Sequence, residues 1–346
     1  MTTLHIITVS GQDVYYIGEI VSEKENWLCI KAIDENDRFS GIHIFRRDCI
    51  QILSTGASIN YYNALDKANA LKTLLPQTDL NSEFFSWRWD LINELFQIIL
   101  EKEIYVSLEL TNGEYYSGKI IYVTPTDLRM QELSYLKLEK QAITLPIKNI
   151  VSISVTEFPN YLAKKWNEET NNFLYHQNLV NIYLDYYDDT RENLIIGEII
   201  QENNEKILLG AIDELGILDS LTVIEKRFIR QINSQNLKYE NFIVYESKKN
   251  GYFDLYQLLS TTVEILDFST IIKGMQINQV LSVNDYYFDN QNVGILKKAN
   301  NRNFKIQNFD NYQLGNESEF EYRDLVSVDL ASSQIKNYNL WFNKQR

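Results

Sequence analysis

Three histidines and two cysteines are the chain's best candidates for nucleophilic or metal chemistry, and their spacing assembles neither. His5, His43 and His176 stand far apart, and Cys29 and Cys49 form no Cys-x-x-Cys pair, so the ligand pattern of a zinc site is missing. His43 and Cys49 are close in sequence, but a thiol nucleophile also needs an orienting third group and an open cleft. Carboxylates are abundant. Asp185, Asp188 and Asp189 surround one expected turn without calcium-loop spacing. Asp34-Glu35 recurs as Asp213-Glu214, which reads as inherited turn chemistry rather than a paired-carboxylate site. Neither a glycine-rich phosphate loop nor a nucleophile elbow occurs. The residues thus point to a non-enzymatic chain with no catalytic side chains, no metal ligands and no cofactor.

The basic residues offer binding chemistry instead. Arg46-Arg47 aligns with Glu225-Lys226 later in the chain, where Arg227 and Arg230 follow closely. With Lys148 they could line a phosphate-binding edge, and Tyr115 and Tyr116 could stack on bases. The balance of 33 basic against 47 acidic side chains, net −14, works against this, because a diffuse negative field opposes nonspecific contact with nucleic acid or anionic lipid. The start carries no basic-then-apolar leader. The greasiest segment, Leu91 to Leu100, is interrupted by Asn93, Glu94 and Gln97 and is too short for a span. The expectation is a cytoplasmic protein, with no membrane contact and with reduced, buried thiols.

Such residues are positioned by a duplicated framework. Leu4 to Leu53 can be laid over Tyr183 to Ile232 without a gap, matching Ile17-Gly18-Glu19-Ile20-Val21 with Ile196-Gly197-Glu198-Ile199-Ile200. Short alternating runs with turn signals, Asn112-Gly113 the strongest, predict strands in four successive units. In the first they are Leu4 to Val9, Val14 to Ser22, Trp27 to Ile33, Gly41 to Phe45 and Ile50 to Leu53. Apolar stripes predict helices over Tyr61 to Leu75, Asn81 to Leu100 and Pro159 to Tyr175, and a short terminal one bearing Ile335, Tyr338 and Trp341. The stretch from Tyr239 to Leu259 is ambiguous. The expected fold class is mainly β with connecting helices: tandem five-stranded small barrels in two duplicated halves, divided at 1–75, 76–178, 179–260 and 261–346. Gly18, Gly118, Gly197 and Gly274 read as structural glycines in bent strands, where a side chain would crowd the interior.

The second unit resembles the Sm-like small barrels, and more loosely other SH3-like barrels. The matching residues are Leu110-Thr111-Asn112-Gly113, then Tyr116-Ser117-Gly118-Lys119-Ile120, then the loop Asp127-Leu128-Arg129-Met130-Gln131, with Gln131 where the family has Asn. Ile147-Lys148-Asn149 stands where that family has Ile-Arg-Gly. The resemblance implies RNA or anion contacts by Asp127, Arg129, Met130, Gln131 and Lys148, joined by Arg46, Arg47, Lys226 and Arg227, and homo-oligomers are compatible with it.

Two functions follow as expectations. The first is a protein-protein interaction or scaffold protein, whose many tyrosines suit recognition and whose acidity suits a basic partner. The alternative is an RNA-binding regulator built from tandem Sm-like barrels.

Overall fold

The computed structural model describes residues 4–10, 15–24, 26–33, 39–53, 57–68, 83–134, 137–155, 158–169, 178–186, 194–235, 237–261, 264–287, 291–310 and 312–345. The chain divides into two units, Met1–Phe173 and Leu174–Arg346. Each is built on one antiparallel sheet of ten strands.

In unit 1, β1 (Leu4–Val9), β2 (Tyr15–Lys24), β3 (Trp27–Ile33) and β4 (Phe39–Arg46) run as a meander, and a 3-10 turn at Arg47–Cys49 returns β5 (Ile50–Leu53) to β1. The plan then repeats. β6 (Tyr105–Leu110), β7 (Tyr115–Val123), β8 (Asp127–Ser134) and β9 (Lys137–Pro146) form a second meander, and a turn at Ile147–Asn149 returns β10 (Ile150–Val155) to β6. The halves join where β4 pairs with β10, His43 opposite Ser154 and Ile44 opposite Ile153. This seam is the best buried part of the sheet: every residue of β6 and of β10 is buried.

Unit 2 repeats the arrangement with β11 (Leu179–Leu184), β12 (Leu194–Glu202), β13 (Lys206–Ile212), β14 (Leu218–Glu225) and β15 (Ile229–Asn233). Its second half has β16 (Val280–Asp285), β17 (Asn292–Ala299), β18 (Asn303–Asp310), β19 (Gln313–Glu321) and β20 (Leu325–Ser332). Here β14 pairs with β20, Thr222 opposite Asp329.

This pairing overturns the resemblance to Sm-like and SH3-like barrels. The fourth strand of each leading half pairs with the last strand of the following half, so the strands run on as one continuous sheet and do not close into five-stranded barrels. Six α-helices accompany the sheets among the described residues, making the fold mixed rather than purely β: α1 (Ala57–Ala68), α2 (Ile92–Glu101), α3 (Phe158–Glu169), α4 (Lys238–Lys249), α5 (Phe268–Gly274) and α6 (Ser333–Gln345).

Three local expectations also change. The duplication is not gapless: Leu4 faces Glu19 while Leu179 faces Glu198, so Leu179, not Tyr183, is the counterpart of Leu4, and the first turn of unit 2 is longer. The helix expected over Asn81 to Leu100 is interrupted: Glu83 and Phe84 are helical, a turn follows, and α2 starts afresh at Ile92, while Asn81 lies outside the described residues. At this new start Glu94 Oε2 accepts the N–H groups of Asp90 (2.7 Å) and Leu91 (3.1 Å) and caps the helix. Phe84 and Trp89, upstream of that cap, are buried in the core with Leu95, Phe96 and Ile99. The ambiguous stretch after Tyr239 resolves into α4 followed by turns.

Four glycines on second strands share one role. A Cβ at Gly18, Gly118, Gly197 or Gly294 would sit 2.4, 2.1, 2.4 or 2.4 Å from the carbonyl oxygen of the facing third strand. Each is followed by a bulge at the same offset, Ile20/Ser22, Ile120/Tyr122, Ile199/Gln201 and Leu296/Lys298, where two residues of the second strand oppose one of the third. Gly294 therefore holds the place expected for Gly274, which lies at the end of α5 with open space around it.

Candidate functional site

A concavity of about 1220 Å³ lies within unit 2. Its walls come from β11 to β15, the N-terminal turn of α4 and the seam strands. Tyr183, Tyr186 and Tyr239 line it beside Ile195, Ile196 and Ile243, and the polar lining includes Asp213, Glu214, Asp219, Ser220, Thr222, Arg230, Glu240, Asn284, Gln291 and Asp329.

Local chemistry builds these walls. Asp213 shapes the turn after β13 by accepting the N–H groups of Leu215 (2.9 Å) and Ile217 (2.9 Å) through Oδ1. At Gly216 that turn takes φ +72°, and a Cβ there would meet Ile243 C at 2.6 Å. The missing side chain lets α4 close against the turn, and Ser247 Oγ fixes the contact by donating to Gly216 O (2.6 Å). Tyr239, Glu240 and Ile243 are thereby set into the wall.

The electrostatics are one-sided. Among the described residues five carboxylates, Asp213, Glu214, Asp219, Glu240 and Asp329, line the cavity against one cation, Arg230, whose Nη2 already donates to Asp185 Oδ1 (3.1 Å). Glu240 Oε2 is buried and has no hydrogen-bond partner among the described residues. Burial, with Glu240's charge adding to it, pushes the Tyr239 phenol up to about 12, so it stays neutral.

Asp329 forms the seam end of the site. Its Oδ1 accepts from Thr222 Oγ1 (2.7 Å), and its Oδ2 accepts from Ser282 Oγ (2.7 Å) and Gln291 Nε2 (2.8 Å). Burial raises its carboxyl to about 6 against the pull of these donors, and Asp219's charge pushes the same way as burial. In unit 1 the corresponding pair is His43 with Ser154, joined at 2.8 Å, and burial drops the imidazole to about 3, so that pair is uncharged. Nothing in the sequence reading singled out Asp329, although a lone carboxylate within the apolar run from Leu325 to Ala331 was a usable signal: a buried charge needs partners.

The basic residues expected to bind phosphate are mostly engaged elsewhere. Arg46 Nη1 donates to Lys148 O and its Nε to Asp48 Oδ1 (2.8 Å), while Arg47 pairs with Glu23 (2.8 Å). In unit 2, Lys226 pairs with Glu202 (2.8 Å), and Arg227 donates to Arg323 O and lies over the Phe228 ring. Both units thus use an arginine of the leading half to hold the last 3-10 turn of the following half. Asp127 and Lys148 meet at a smaller hollow of about 560 Å³ with Asn93, Thr126 and Pro146. Asp127 Oδ2 accepts from Thr126 Oγ1 (2.5 Å). Arg129 is exposed, Met130 is wholly buried in the core, and the Gln131 carbonyl is the oxygen that crowds Gly118.

Catalytic chemistry finds no assembly here. Among the described residues no histidine or cysteine lines the cavity, and no three His, Cys, Asp or Glu are placed to hold a metal ion. Asp188 and Asp189 lie outside the described residues. Cys29 and Cys49 are free thiols; burial pushes Cys29 up to about 12, a Ser22 hydrogen bond pulling the other way. Brief iodoacetamide treatment of the folded protein is expected to label Cys49 at least about 100-fold faster than Cys29, read by peptide mass spectrometry, with equal rates counting against this burial.

No family model and no curated protein matches the chain. Among solved structures it is similar to the four MBT repeats of Drosophila melanogaster Sfmbt in complex with peptide RHR (me)K VLR, at 8% identity over 95% of this chain and 88% of that one. The TM-score is 0.14, and a likeness at that level carries no argument. Among the described residues no helix is long and apolar enough to cross a membrane.

Proposed function

We propose that this is a non-enzymatic interaction protein, and that the unit 2 cavity receives a basic segment of a protein partner. The observation that carries the reading is the lining: five carboxylates and three tyrosines face one concavity whose only lining cation among the described residues, Arg230, is already paired. Low-dielectric walls focus such a field and favour a cation entering it. Tyrosine adds apolar area, a hydroxyl and a face that attracts ammonium or guanidinium groups. The RNA alternative lacks comparable support, since Arg46, Arg47, Lys226 and Arg227 spend their donors on carbonyls and carboxylates of the protein itself.

Fluorescence anisotropy with a short lysine-rich peptide, a glutamate-rich peptide of equal length and a single-stranded RNA tests the reading. Only the lysine-rich peptide is expected to bind, and its affinity should fall about tenfold or more from low salt to well above physiological ionic strength. Equal binding of the acidic peptide, or preferential binding of the RNA, contradicts it.

A further inference from the structure

The two seams differ in one respect that bears on the cavity. In unit 1, His43 faces Ser154, and Ser154 faces Ser107; in unit 2, Thr222 faces Asp329, and Asp329 faces Ser282. Where Ser154 stands in one sheet its duplicate has a carboxylate, Asp329, which lines the unit 2 cavity.

The hydroxyls around Asp329 can accommodate a proton without moving heavy atoms. Ser220 Oγ and Thr222 Oγ1 lie 2.7 Å apart, and Thr222 donates to Asp329 Oδ1. If a solvent proton binds Oδ1, that O–H donates to Thr222 Oγ1, and the Thr222 hydroxyl turns to donate to Ser220 Oγ. Ser282 and Gln291 keep donating to Oδ2, which stays an acceptor. Ser220, Thr222 and Gln291 all line the cavity, so this chain of groups runs from its wall to the buried carboxyl.

The charged neighbours leave the proton's effect uncancelled. From β14, Asp219 acts on Asp329 as a like charge, and Ser333 at the start of α6 donates to Asp219. From β16, Asp285 accepts the N–H of Tyr287 (2.9 Å) instead. Lys336 of α6 donates to Tyr256 O. Among the described residues no lysine or arginine hydrogen-bonds Asp329.

We infer that Asp329 is the proton-binding site of the unit 2 cavity, and that its protonation lowers the cavity's affinity for a cationic side chain. This rests on the reading of the cavity given above. With its folded-state carboxyl raised to about 6, Asp329 gives up its charge at the base of the cavity as pH falls from about 7 to 5.

The test uses the full chain and two readouts. The affinity of the lysine-rich peptide is measured from pH 7.5 to 5, and the Asp329 side-chain carboxyl carbon is followed by NMR over the same range without peptide. The expected results are an affinity loss of about tenfold and a carbon midpoint well above the ordinary carboxylate range. Asp329→Ser, which installs the residue type found at the corresponding place in unit 1, should flatten the peptide profile. Gln291→Ala, which keeps Asp329 but removes a donor to its ionised form, should move the carbon midpoint to higher pH. A midpoint near 4, or an unchanged peptide slope in Asp329→Ser, overturns the inference. Absence of peptide binding at every pH sinks the cavity reading instead, and the carbon midpoint still decides whether Asp329 is the proton site.

Discussion

Replacing Gly294 with alanine is expected to destabilise unit 2 by about 3 kcal/mol, while the same change at Gly274 leaves stability within about 0.5 kcal/mol. The new Cβ at Gly294 would lie 2.4 Å from Gln307 O, 2.9 Å from Gln307 C and 3.0 Å from Asn308 Cα. All three are backbone atoms of β18, so no side chain can rotate out of the way; β17 and β18 must separate next to their bulge. Nothing lies within 4 Å of a Cβ at Gly274. Calorimetry of the full chain should show one transition falling by roughly 6–12 °C for Gly294→Ala, with the Gly274→Ala trace overlying the parent. Equal effects at the two positions would remove Gly294 from the repeating set.

The second large effect is expected at Gly216, and it reaches the cavity. Alanine there meets Ile243 C at 2.6 Å and Val244 N at 2.8 Å while also bearing the left-handed φ of +72°. Gly251 is the natural control: its φ is +77°, but nothing lies near its Cβ, so Gly251→Ala carries the backbone cost alone, on the order of 1 kcal/mol. Gly216→Ala should cost about 3 kcal/mol and push α4 outward, displacing Tyr239, Glu240 and Ile243 from the cavity wall. Denaturant unfolding and peptide binding measured together check this: Gly216→Ala should lose about tenfold or more in affinity, Gly251→Ala almost none. Equal losses of stability at the two glycines would mean that α4 yields freely and is not held by this turn.

The strand rhythm was legible because its physics is local. Alternation, turn residues and a repeated strand glycine marked β1 to β5 nearly to the residue. The pairing of β4 with β10 was not legible. His43, Ile44, Ile153 and Ser154 meet across a long stretch of chain, and a five-strand pattern is satisfied equally by closing on itself or by running on into a neighbour. The longer first turn of unit 2 escaped because strand alternation repeats every two residues, so a shift by four leaves the pattern in phase. Gly274 and Gly294 both have apolar residues within two positions on either side, Ile272 and Met275 for one and Val293 and Ile295 for the other, so sequence does not separate them; the close approach of Gln307 O identifies Gly294. At the candidate site, Asp213-Glu214 was noticed as turn chemistry. That Asp213 serves the turn while Glu214, Asp219, Glu240 and Asp329 join it around one space depends on contacts between separate segments, which composition does not encode.

The most direct test of the cavity reading is methyl NMR of the isoleucine-labelled full chain during titration with the lysine-rich peptide. The predicted result is saturable shifts at Ile195, Ile196, Ile212 and Ile243, which line the unit 2 cavity, with Ile92 and Ile147 at the small unit 1 hollow unmoved. Shifts confined to Ile92 and Ile147, or binding that moves none of these methyls, would contradict it.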